Sequence, residues 1–196
     1  MPPVKDLAQL GQRVAATHGW ATAKAFKAYA WTEADQARIA ATAADLLKVF
    51  PRQAGSGMLL STALAVQLER RLDAPVVLVA GTLSIDGMPV QGDRRPFDGP
   101  QIFGEVGGEP AWNGHLWIMV GAHVVDVAIF GLARSADCRP ELARHVHSVF
   151  GPDKGLYADE WRRSRRVGLE YEPQYVLSPE DVDRLMTAAY RLMSGD

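Results

Sequence analysis

The stretch GHLWIMVGAHVVDVAIF, residues 114–130, decides how this chain is read. It holds two short runs of β-branched and apolar residues, His115–Val120 and His123–Phe130, separated by Gly121-Ala122. Glycine at the first central position is what a two-residue type II′ turn requires, so the stretch predicts an antiparallel hairpin. With that turn, Val120 faces His123, Met119 faces Val124, Ile118 faces Val125 and Trp117 faces Asp126. Alternation along each strand then sorts the side chains. Leu116, Ile118, Val120, Val125, Val127 and Ile129 fall on one face, expected to be core. His115, Trp117, Met119, Val124, Asp126, Ala128 and Phe130 fall on the other. His115 and Asp126 become diagonal cross-strand neighbours, about 7–8 Å apart at Cα. Burying either one alone in so apolar a hairpin would be costly, so the two are expected to meet. The pairing has two readings: a buried pair that satisfies itself, or a base whose tautomer Asp126 fixes so that the other ring nitrogen faces a reacting group.

Upstream, the chain reads as helical. Leu7, Leu10 and Val14 make a helical stripe within Val4–Thr17. Thr32 and Asp35 form a capping-box pattern ahead of Ile39, Ala43, Leu46, Leu47 and Phe50, which continue a helical face to Pro51. After the break at Gly55-Ser56-Gly57, Leu60, Leu64, Leu68 and Leu72 recur every four residues in Met58–Leu72. That helix is apolar on most sides and is expected to be central. Pro75–Leu83 reads as a buried strand, and Asp86-Gly87 as a turn. Residues 91–114 carry six glycines and three prolines, which predicts a long irregular segment. Arg139–Phe150 and Tyr157–Arg166 read as helical, and Ser178-Pro179-Glu180-Asp181 as the start of a terminal helix. Helices, antiparallel strands and then helices again make an α+β chain, expected to be one domain over residues 1–196.

Composition excludes several functions. The chain has 196 residues, net charge −2, 47% hydrophobic and 22% charged residues, which is ordinary globular usage. No overall charge draws it to nucleic acid or an anionic membrane, so neither is an expected partner. No apolar run approaches the ~20 residues that span a bilayer, and Met1–His18 lacks a secretory pattern. A soluble, cytoplasmic protein is expected. Cys138 is the single cysteine, so neither an internal disulfide nor a zinc-thiolate cluster is available. His123 falls on the face opposite His115 and Asp126, and His145 and His147 point apart on their helix. No metal and no cofactor are expected. A dinucleotide fingerprint, a P-loop and a G-x-S-x-G elbow are all missing. Arg162, Arg163, Arg165 and Arg166 read as a solvated face near Asp159, Glu160 and Glu170.

The order of these pieces resembles the papain-like cysteine peptidase superfamily, and within it the small transglutaminase-like members. GSGMLLSTA (55–63) is similar to the papain-type run Gly-Ser-Cys-Trp-Ala-Phe-Ser at the head of the central helix. LDAPVVLVAG (72–81) is similar to the stretch that follows that helix in transglutaminases, and residues 114–130 to their His-x-Trp…Asp hairpin. The resemblance implies a central helix packed on an antiparallel sheet with flanking helices. It implies a thiol hydrolase or acyltransferase acting on, or binding, a peptide or an amide-bearing small molecule. In that arrangement His115 is the general base, Asp126 its orienter, and the backbone of Gly57–Met58 an oxyanion hole. Where the pattern calls for a nucleophilic cysteine, this chain has Gly57 by the papain-like alignment or Met58 by counting back from Pro75. The resemblance thus leaves three readings: a scaffold whose thiol is lost, a non-catalytic binding module, and a serine hydrolase using Ser56. Gln53 is a candidate oxyanion amide. Ser61 lies a turn inside the helix.

Overall fold

The computed structural model describes residues 4, 6–51, 56–92 and 112–194. Two helices come first, α1 (Leu7–Ala28) and α2 (Glu33–Val49), and α3 (Gly57–Glu69) follows the 52–55 segment. The chain then lays down β1 (Val76–Ile85), β2 (Met88–Gln91), β3 (His115–Val120) and β4 (His123–Asp126). After these come α4 (Ile129–Ala133), α5 (Pro140–Phe150), β5 (Tyr157–Glu160), a 3-10 helix (Trp161–Val167), β6 (Leu169–Val176) and α6 (Pro179–Ser194). The protein is α+β. Among the described residues six strands pair antiparallel in a sheet that curls into a half-barrel, in the order β2-β1-β3-β4-β5, with β6 along the other edge of β1.

The sheet is buried on both faces. On one side α2, α3 and α6 cover Leu78, Ala80, Leu116, Ile118, Val120 and Val125. On the other, α1, α4 and α5 cover Val77, Val79, Trp117, Met119, Val124 and Tyr171. Two-sided cover explains the near-continuous apolar runs in β1 and β3, which leave no solvated face to alternate with. The leucines spaced by four explain the central place of α3: Leu60, Leu64 and Leu68 within it, and Leu72 just beyond its end, are all buried. Ser61 anchors this helix to the sheet, its hydroxyl donating to the Leu116 carbonyl at 2.9 Å.

The hairpin register agrees with the turn chemistry. Val120 pairs with His123, Met119 with Val124 and Ile118 with Val125. Gly121 has φ +56° while Ala122 stays at negative φ, the type II′ pattern. The capping box holds as well, with Thr32 Oγ1 accepting from Asp35 N and the Asp35 carboxylate accepting from Thr32 N. Ser178 and Asp181 repeat the exchange at α6.

Three expectations need correction, and two further strands join the sheet. The second hairpin strand stops at Asp126 instead of running to Phe130: Ile129 and Phe130 begin α4, and Ile129 joins the core opposite Leu116. Residues 157–160 form a strand and 161–167 a 3-10 helix in place of one α-helix. Residues 169–176 form a strand, β6, beside β1, and residues 88–91 form another, β2. The first helix runs past Thr17 to Ala28 and kinks at Gly19 (φ +86°).

β6 comes so close to β1 that only glycine fits at position 81. A Cβ there would lie 2.1 Å from the Glu172 carbonyl oxygen and 2.8 Å from the Trp117 ring. Gly81→Ala is expected to lower stability by about 1–3 kcal/mol through overpacking, measured as a reduced urea midpoint; an unchanged midpoint would contradict the close approach.

Candidate functional site

The predicted partners meet. His115 Nε2 donates to Asp126 Oδ2 at 2.6 Å, and the two side chains are 4% and 0% exposed. His115 lies at the start of β3 and Asp126 at the end of β4. The same carboxylate has three further donors. Its Oδ1 accepts from the backbone N–H groups of Ala128 (2.9 Å) and Ile129 (3.0 Å), and its Oδ2 accepts from the Tyr171 hydroxyl at 2.9 Å. Both backbone donors lie at the opening of α4, so Asp126 caps that helix. This explains why the strand ends where it does: the carboxylate that holds the imidazole also satisfies the first orphan N–H groups of the next element.

Tyr171 is the part of the site that the sequence reading missed. It belongs to β6, a strand that the local sequence pattern does not announce. Burial, reinforced by the nearby Asp126 charge, holds the Tyr171 phenol well above its usual pKa, so it stays a donor. Aromatic rings pack the imidazole: Trp117 stacks on it with centroids 6.1 Å apart, and Tyr171 tilts against it at 6.2 Å. With Nε2 committed to Asp126, the ring has one free nitrogen, Nδ1. It is hydrogen-bonded to no described residue.

His115 lines a cleft of about 850 Å³. Ser56, Gly57 and Met58, the entry to α3, line the same cleft, as do Trp112 and Ala128. The Ser61–Leu116 hydrogen bond accounts for this proximity, because it joins α3 one turn inside its start to the residue that follows His115. Gly57 begins the helix. Among the described residues, a Cβ at this position would meet only the Ala128 Cβ, at 3.3 Å. A side chain at 57 would therefore point toward the segment just past Asp126. Met58 instead packs in part against the α2/α6 core. The Ser56 side chain does not cap α3. The N–H groups of Gly57, Met58 and Leu59 find no acceptor among the described residues.

The other candidates are placed as follows. Gln53 lies outside the described residues, as do residues 93–111 of the segment expected to roof the cleft; Gln91 and Trp112–Gly114 do line it. The Ser61 hydroxyl is buried and engaged with Leu116. Cys138 is not among the residues that line the cleft, and burial pushes its thiol pKa up, the reverse of an activated nucleophile. His123 stacks on Trp31 at 4.3 Å, and burial lowers its pKa. His145 donates to the Val167 carbonyl. Among the described residues no three His, Cys, Asp or Glu side chains gather as a metal site. None of the described helices is long and apolar enough to cross a membrane. All four arginines of WRRSRR are exposed, and Arg163 pairs with Glu160 at 3.1 Å. Compared with protein-family models, with curated proteins and with solved structures, the chain matches none.

The carboxylate sets the energetics. Tyr171→Phe removes one of its four donors and is expected to cost about 1.5–3 kcal/mol. Asp126→Ala unpairs the buried imidazole and uncaps α4, and is expected to cost about 3–5 kcal/mol or more. Chemical denaturation checks both values; equal, small effects would contradict a shared carboxylate.

Proposed function

We propose that this chain is a papain/transglutaminase-like scaffold for acyl chemistry, whose cleft receives a peptide or amide-bearing small molecule where the nucleophilic thiol has been lost. One observation carries the reading: an imidazole held by a buried carboxylate and the open start of an apolar central helix line the same cleft. In a thiol enzyme of this layout, the helix dipole and the imidazole together stabilise a thiolate. His115 Nδ1 would be the base, Asp126 its orienter with Tyr171 behind it, and the N–H groups of Gly57 and Met58 would receive the developing oxyanion. The contact with Ala128 favours position 57 over 58 as the vacant nucleophile position. Glycine there lets α3 lie close to α4, while the donors for a carbonyl oxygen remain. Such a site binds an amide carbonyl without forming a covalent bond to it.

Restoring the thiol tests this. Gly57→Cys is expected to react with iodoacetamide well below the ordinary thiol pKa of about 8.5. His115→Ala should abolish that shift, and Met58→Cys should titrate normally. Adding Ala128→Gly relieves the 3.3 Å contact, so that crowding is not mistaken for lack of activation. A Gly57→Cys thiol of ordinary reactivity in both backgrounds would overturn the proposal.

A further inference from the structure

We propose that His115 directs a water molecule, in place of a protein nucleophile, onto the acyl carbon of an activated ester or thioester bound in this cleft. The inference rests on the reading of the cleft given above and goes beyond it by assigning an activity to the chain as it stands. A bare binding pocket has no need of an oriented base. Yet His115 is 4% exposed, its Nε2 is taken by Asp126, and its Nδ1 is left without a described partner in a ring that lines the cleft. The Tyr171 hydroxyl and the two α4 N–H groups complete the shell of Asp126, so the carboxylate has no other ring to serve. On the same cleft, the N–H groups of Gly57 and Met58, which meet no acceptor among the described residues, would hold the oxyanion. Glycine at 57 places no side chain between the start of the helix and the cleft; among the described residues a Cβ there would meet only the Ala128 Cβ, at 3.3 Å. Ser61 offers no competing nucleophile, since its hydroxyl is bound to Leu116.

The step balances with water alone. His115 Nδ1 takes a proton from water as the water oxygen bonds to the acyl carbon, and the carbonyl electron pair moves onto oxygen, held by the Gly57 and Met58 N–H groups. When the carbonyl re-forms, the C–O or C–S bond to the leaving group breaks. The departing alkoxide or thiolate collects the proton from Nδ1, and the products are an acid and an alcohol or thiol. Substrate class follows from the leaving group. A thiol has a pKa of about 8.5 and leaves readily, whereas an amide nitrogen must be protonated before it can depart. Phe50, Met58, Leu60 and Leu132 make part of the cleft wall apolar. Arg134 is engaged with the carbonyls of Pro152 and Lys154, so it is not a free anchor for an anionic acyl chain. The apolar part of the wall suits an apolar acyl group, and Lys154, Asp137 and Asp153 line the cleft as well.

The test uses the full chain with 4-nitrophenyl butyrate and S-phenyl thiobutyrate. Saturable hydrolysis is expected, about 10²- to 10⁴-fold faster than with His115→Ala, with Asp126→Asn lowering kcat more than it raises KM. Single-turnover reaction in ¹⁸O-labelled water should place the label in the butyrate, and acid-quenched intact-mass analysis should find no acylated protein. These two measurements on the wild-type chain need no variant to fold. Equal rates in wild type and His115→Ala, or an acyl-protein adduct, would overturn the water route. If the wild-type chain is inert while the Gly57→Cys thiol is activated, the water route falls and the cleft reading stands. If that thiol is also ordinary, both fall.

Discussion

The Asp126 carboxylate joins more of this protein than any other side chain described here. Its four donors come from three parts of the chain: the imidazole of β3, the phenol of β6, and two N–H groups that open α4. An unpaired carboxylate at 0% exposure would cost several kcal/mol. With four donors it becomes a junction that fixes where β4 stops, where α4 starts and how the His115 ring is turned. The cleft inherits its wall from that junction, since Ala128, two residues on, is what the start of α3 packs against.

Glycine at position 57 matters for the same reason. The helix that carries it is pinned to β3 through Ser61 and buried along most of its length, so its first turn cannot move away from the His115 strand without breaking that anchor. Any side chain at 57 is directed at α4, and only a small one fits. An imidazole that is oriented, a helix start whose N–H groups meet no acceptor among the described residues, and a position that is bare thus follow from one set of packing constraints. Tyr171 extends the set: the strand that supplies it reaches β1 only because Gly81 has no side chain.

Features whose causes are local were legible in the sequence. The Gly121 turn, the alternation that brings His115 and Asp126 together, the Thr32–Asp35 box and the leucines of α3 each depend on residues a few positions apart. What could not be read depends on distant chain. LEYEPQYV alternates polar and apolar residues, but Pro173 breaks the pattern. The strand tolerates that proline because the register with β1 is irregular between Ala80 and Gly81, some 90 residues upstream. Without β6 there was no way to see Tyr171. The end of β4 is hidden for a different reason: VAIF after Asp126 has strand composition, and the aspartate's capping of Ala128 and Ile129 overrides it. The local signal for that helix start is Asp126 itself, two and three residues ahead of the N–H groups it accepts from.

The central claim concerns the imidazole: Nε2 belongs to Asp126, and Nδ1 is proposed to serve the cleft that the opening turn of α3 also lines. Long-range ¹H–¹⁵N spectra of histidine-labelled protein report this directly. The neutral His115 ring is expected as the Nε2–H tautomer, with a strongly downfield, slowly exchanging proton that is lost in Asp126→Asn. Its Nδ1 resonance should shift when Gly57→Cys is alkylated. An Nδ1–H tautomer, or an Nδ1 signal indifferent to chemistry at position 57, would contradict the account.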